Sequence, residues 1–211
     1  MARLAFLCLV VSLGLGALVI TSSLNQSGED VIALVNGESI TRADFVDYEM
    51  DVVGEAREGE ARSVALLSLI NQALVKQTAL RLDITVPEAV VQAQVDAALS
   101  NPTISNSLRT DADMATFRRR TRMWLLSEAV RDEVVTTPTI SDAEVERQFM
   151  AEAGNTGLSL HDAEAAIRER LSAKATSELW VRWLGQKRAC ASLVILDPQL
   201  SLPQTATYEC Q

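Results

Sequence analysis

Histidine is almost missing from this chain, and thiols are few. One imidazole, His161, and three cysteines, Cys8, Cys190 and Cys210, are the whole stock among 211 residues. A zinc site built from nitrogen and sulfur ligands needs about four such groups converging on one point. One histidine and two distant cysteines cannot supply it. His161 stands in the first turn of a helix, where it reads as a solvated residue rather than a general base. G-x-S-x-G, H-E-x-x-H, P-loop and dinucleotide fingerprints are all absent from the sequence. Carboxylates are plentiful, but no spacing pairs two of them for acid–base work. The sequence therefore points away from an enzyme and calls for no cofactor or metal.

Positive charge is also in the minority, with 19 Lys and Arg against 28 Asp and Glu, a formal charge of −9. Such a surface gains nothing from a phosphate backbone, so no nucleic-acid partner is expected. The one exception is the cluster Arg118–Arg120 with Arg122. It reads either as a solvated helix face flanked by core residues or as a local basic patch for an acidic client or lipid headgroup.

What the chain does have begins with an apolar run. Leu4–Ile20 carries no charge and is preceded only by Arg3. As a helix it would span roughly 26 Å, just short of the ~30 Å hydrocarbon layer. Residues 1–23 are thus a cleaved signal peptide with a poor processing site at Thr21–Ser23, or an uncleaved anchor that makes the membrane a partner. Cys8, inside this run, reads as a small buried hydrophobe. Either way the remainder lies outside the cytoplasm. Residues 24–30 form a polar linker, residues 31–198 the folded domain and residues 199–211 a loosely held tail.

The domain opens with Ile32–Val35, a β-branched run, then Asn36-Gly37, a hairpin signal because both residues tolerate φ > 0. Ser39-Ile40 is the return strand, and Thr41 with Asp44 provides a helix cap. The second helix, Arg62–Leu82, is apolar on most of its circumference, leaving a narrow polar strip of Ser68, Asn71, Gln72 and Lys76. A helix of that kind must be covered on several sides, so it is central. Thr85 with Pro87 and Glu88 reads as the start of a third helix that Asn101-Pro102 stops, followed by polar loop over Thr103–Thr110. A fourth helix covers Asp111–Val135. Ser141 with Glu144 caps a fifth, and a long sixth reaches from Leu160 toward Arg188 with an apolar stripe interrupted by charge. Ala191–Leu196 is a β-branched strand ended by Asp197-Pro198, expected to pair with Ile32–Val35. The fold class is therefore mainly α, about six helices with a small sheet made by the N-terminal hairpin and a C-terminal strand.

The order V-N-G-E-S-I-T-R-A-D-F, then L-I-N-Q-A-L-V-K-Q-T-A-L-R-L-D-I-T-V, F-R-R-R-T-R-M-W-L-L and I-S-D-A-E-V-E-R-Q-F, closed by a long helix and a strand, resembles the N-terminal module of SurA-like and PrsA-like extracytoplasmic chaperones. The resemblance covers roughly residues 31–196. Many members of that family carry a parvulin prolyl-isomerase domain between the counterparts of the fifth and sixth helices. Here that place is filled by Gly154–Leu158, and the parvulin histidine pair has no counterpart.

What the resemblance implies is an ATP-independent extracytoplasmic chaperone that binds unfolded or extended segments of exported proteins. The alternatives are a non-catalytic envelope adaptor docking one dedicated partner, or a prolyl isomerase. Candidate peptide-binding residues are Met123, Trp124, Trp180 and Trp183, large adaptable side chains suited to varied clients. Each also has a core reading, which is favoured for Trp124. In an oxidising compartment Cys190 and Cys210 can pair, closing a loop of about twenty residues. The alternative is two unpaired thiols.

Overall fold

The structure, a computed structural model, describes residues 30–52, 58–108, 110–152, 159–203, 208 and 210. The leader, the linker up to residue 29, the break after the first helix and the turn at Gly154–Leu158 lie outside the described residues.

Strand β1 (Val31–Val35) turns through Asn36 (φ 52°) and Gly37 (φ 86°) into β2 (Glu38–Thr41). A Cβ at Gly37 would meet nothing within 4 Å, so the glycine is needed there for its positive φ alone. At the chain's far end β3 (Leu193–Ile195) joins the other edge of β1, antiparallel, with Ala33 opposite Ile195, Leu34 opposite Val194 and Val35 opposite Leu193. The sheet order is β2-β1-β3. The chain is thus mainly helical with a small sheet built from an N-terminal hairpin and a C-terminal strand.

Seven helices are described: α1 (Arg42–Val52), α2 (Glu58–Arg81), α3 (Glu88–Leu99), α4 (Pro102–Ser107), α5 (Asp111–Val134), α6 (Asp142–Glu152) and α7 (Leu160–Cys190). Helix α2 packs against α1, α5, α7 and the sheet, as its apolar circumference requires. Its Leu66, Ile70 and Leu74 share one core with Ile32, Val35 and Phe45. Each fully buried side chain of this size contributes about 1.5–3 kcal/mol. One turn further along, Val75 and Ala79 meet Val130 of α5 and Leu184 of α7 in a second cluster. Helix α3 lies along α5 with Val91 and Val95 buried, and α6 lies along α7. Arg168 of α7 secures that last pair, donating to the Ile140 carbonyl (2.5 Å), Asp142 (2.6 Å) and Glu164 (2.8 Å).

The starts of α1 and α6 follow caps in which a hydroxyl and a carboxylate stand three apart. The Asp44 N–H donates to Thr41 Oγ1 (3.2 Å) and the Thr41 hydroxyl to Asp44 Oδ2 (2.8 Å). Ser141 and Glu144 form the reciprocal pair at α6. Asp83 takes φ 55° just past α2, the left-handed conformation that aspartate tolerates.

Three expectations are corrected. The segment after Asn101-Pro102 is not loop but α4, which brings the described helices to seven where about six were expected. Asn101 Oδ1 accepts the Thr103 N–H (2.9 Å) and Pro102 occupies the first helical position, so the dipeptide that stops α3 also starts its successor. Helix α3 begins at Glu88, not at Thr85. Val86, which precedes proline, is driven out of the helical region, so the helix starts after Pro87, which is extended and whose carbonyl accepts the N–H of Val90 (3.0 Å) and Val91 (3.3 Å). The boundary at residue 198 is also too early, since Leu200 is buried in the first core and Leu202 packs against it.

One ion pair joins the two ends of the domain. The Arg42 guanidinium donates to Asp30 Oδ2 (2.6 Å) and to Asp197 Oδ2 (2.7 Å), and Asp197 Oδ1 accepts the Gln199 N–H (2.9 Å). Asp197 is only 8% exposed. The Gln199 amide first, then the Arg42 guanidinium, holds its carboxyl below the usual carboxylate range. A carboxyl with a depressed folded-state pKa stabilises the fold above its unfolded value of about 3.9, and the contribution is lost as pH falls through the folded value. Asp197→Asn is therefore expected to lower the melting temperature at neutral pH and to flatten the loss of stability below about pH 4. Thermal melts of both proteins across pH 2–7 check this, and identical acid slopes contradict it.

Candidate binding groove

The polar strip of α2 is not simply the solvated side of a buried helix. Ser68, Asn71, Gln72 and Lys76 form the floor of a groove of about 650 Å³, bounded by α5, α7 and the β2–α1 corner. Met123 and Trp124 of α5 make one wall, and Trp180 and Leu184 of α7 the other. Tyr48 of α1 closes one end. The strip is polar because it is never covered, while the apolar residues beside it are pinned by the two cores.

Three of the four candidate residues meet at this groove. Met123 and Trp180 are half-buried, each with part of its surface in the second core and part facing the groove. Trp124 is 51% exposed, which corrects the core reading favoured for it. At that level of α5 the face turned toward α2 is taken by Met123, Leu126 and Val130, leaving Trp124 on the rim. Trp183 does not line the groove. It stacks on Trp180 (ring centroids 4.9 Å apart, planes 9° from parallel) with the Lys187 ammonium 5.4 Å from its ring centroid. Its position braces the Trp180 ring from behind.

Ion pairs tie the groove's rim together. Arg119 bonds Asp47 of α1 (2.9 Å), and Arg120 donates to the Asp47 carbonyl (3.0 Å). Arg118 (3.7 Å) and Arg122 both meet Glu88 of α3. The arginine cluster is thus held between two neighbouring helices, not spread as a solvated face. Each such exposed pair contributes at most about 1 kcal/mol. They link the exposed side of α5 to α1 and α3. On the floor, Arg188 donates to Asn71 Oδ1 (2.7 Å), and partial burial pulls its guanidinium below the ordinary value.

The far end of the chain is held on α7. Cys190 and Cys210 form a disulfide with Cα atoms 4.8 Å apart. Tyr208 lies so close to Gly185 that a Cβ there would come within 2.2 Å of the ring. At its described residues the tail is therefore fastened, not loose. His161 is exposed at the start of α7. Among the described residues no group of three or more His, Cys, Asp or Glu is placed to hold a metal ion, and no helix is long and apolar enough to cross a membrane.

No protein-family model matches the chain, and no curated protein matches it in sequence.

Sequence reasoning identified the strip on α2 but missed that it lines a groove. Its signal was available: a helix that must be covered on several sides, yet keeps four polar residues on one face, leaves that face open. Removing the disulfide by Cys190→Ser with Cys210→Ser is expected to cost about 3 kcal/mol in the chain-entropy account of a loop this long. Urea unfolding of the double variant measures it, and a loss under about 1 kcal/mol contradicts the fastening of the tail.

Proposed function

We propose that this protein is a SurA-like chaperone module that holds unfolded or extended segments of exported polypeptides in the α2–α5–α7 groove, without ATP and without catalysis. The observation that carries the reading is the groove itself, an open polar floor between walls that end in Met123, Trp124 and Trp180. A polar floor can satisfy the backbone of an extended chain, which has no internal partners. Aromatic and thioether walls supply contact area that does not demand one side-chain shape. The ordered series of sequence motifs resembling the SurA-like N-terminal module supports the same reading. An extracytoplasmic location fits the apolar leader and the Cys190–Cys210 disulfide, since such bonds persist in oxidising compartments.

The experiment is aggregation suppression with several unrelated unfolded proteins. The ectodomain is expected to suppress aggregation at near-stoichiometric ratios. Trp124→Ala combined with Trp180→Ala should weaken suppression at least about tenfold, as expected when two anchoring aromatics are removed. Suppression unchanged in the double variant would move the binding site away from the groove, and suppression absent from the unsubstituted protein while one envelope protein co-purifies would replace the chaperone with a dedicated adaptor. Accelerated cis/trans exchange in a proline peptide would overturn the non-catalytic part of the reading.

A further inference from the structure

The floor of the groove carries a row of side chains with unused hydrogen-bonding capacity. Ser68, Gln72 and Lys76 lie at i, i+4 and i+8 of α2, and all three line the groove. Among the described residues, none of the three side chains makes a hydrogen bond or ion pair. Their neighbours on the same helix are engaged, Asn71 by Arg188 and Gln77 by the Val35 carbonyl (2.9 Å). The row therefore differs from Asn71 and Gln77 beside it, whose side chains are engaged.

Its spacing suits one kind of occupant. Four residues of helix rise about 6 Å, so the row spans about 12 Å. Groups on the same side of an extended chain repeat about every 6.7 Å. A strand-like segment of about five residues, facing the floor at its first, third and fifth positions, can thus meet each member of the row in turn. Alternate side chains then point toward Trp124 on one side and Trp180 on the other.

Charge selects further. The chain as a whole is −9, yet the groove lining gathers Lys76, Arg119, Arg120 and Arg122 against Glu38, Asp44 and Asp47. Arg119 is matched by Asp47, Arg122 by Glu88, and Arg120 by the Asp47 carbonyl. Glu38 accepts from Gln77 (2.9 Å) and Asp44 from Thr41 (2.8 Å). Lys76 alone of the lining cations is left without a carboxylate or carbonyl among the described residues.

We propose that the Ser68–Gln72–Lys76 row is a backbone-reading subsite for an extended peptide, with Lys76 receiving an acidic side chain at one end. The inference rests on the groove being the peptide site. It adds a register and a preference: a carboxylate over Lys76 and apolar residues over the tryptophan walls. Nothing in the row recognises an apolar side chain, so sequence preference within the segment comes from the walls and from Lys76.

The test is fluorescence anisotropy with labelled extended peptides that share an apolar core and end in Asp, Asn or Lys. The unsubstituted protein is expected to bind the Asp peptide about threefold tighter than the Asn peptide at low salt, a difference that vanishes near 1 M salt. Lys76→Glu should invert the order, favouring the Lys peptide. Lys76 is exposed, so the substitution leaves the core untouched. Gln72→Ala should weaken all three peptides alike, and N-methylation of the peptide backbone should mimic it. Unchanged peptide order in Lys76→Glu overturns the subsite while leaving the groove as the binding site. Failure of every peptide to bind the unsubstituted protein overturns both.

Discussion

Asn36 and Ser192, 156 residues apart, join the ends of β1 and β3, and the rest of the architecture is arranged by that junction. The Asn36 N–H donates to the Ser192 carbonyl (2.8 Å), and the Ser192 N–H returns to Asn36 Oδ1 (2.8 Å). The same residue supplies half of the hairpin turn, and its side-chain amide nitrogen donates to Gln77 Oε1 of α2 (2.8 Å). Gln77 in turn donates to the Val35 carbonyl (2.9 Å). One polar side chain thus fixes the hairpin, the last strand and the central helix against one another. An alanine at 36 would resist the positive φ of the turn and remove the partner of the Ser192 N–H and of the Gln77 amide oxygen, two separate penalties at one position.

The groove follows from that junction. Helix α7 ends at Cys190 and β3 begins at Leu193, so the position of β3 on β1 sets where the C-terminal half of α7 lies beside α2. Leu184 then completes the second core, and Trp180, one turn earlier, reaches the groove. The Arg42 bridge to Asp30 and Asp197 and the Cys190–Cys210 disulfide secure the same corner from outside. The groove has two walls, one on α5 and one on α7. Here they are held apart by α2, whose covered faces are apolar and whose open face is polar.

Much of this was legible in the sequence, and the reasons differ by element. The hairpin could be read because Asn36-Gly37 is one of few dipeptides comfortable with two positive φ values. The pairing of β3 with β1 was an architectural expectation from two short β-branched runs at opposite ends of the domain, and it holds in the register Ala33–Ile195, Leu34–Val194 and Val35–Leu193. Caps at Thr41 and Ser141 were visible because each is a local exchange between a hydroxyl and a carboxylate three residues on. Helix α4 was missed because Asn101-Pro102 signals both an end and a beginning. The place of Trp124 was misread because spacing on a helix gives a stripe but not which neighbour fills the space opposite. The arginine cluster's partners, Asp47 and Glu88, lie 72 and 34 residues from Arg119 and Arg122, beyond any local pattern.

The central claim is that the α2–α5–α7 groove, not another apolar surface, receives extended polypeptide. Leu80, 83% exposed on α2 and outside the groove lining, provides the comparison. A photo-cross-linking amino acid placed at Trp124 and, separately, at Leu80 tests the claim in cells that produce the protein. The account predicts cross-links from position 124 to many exported proteins, at extended segments, and few from position 80. Equal yields from the two positions, or one folded partner captured at position 124, would contradict it.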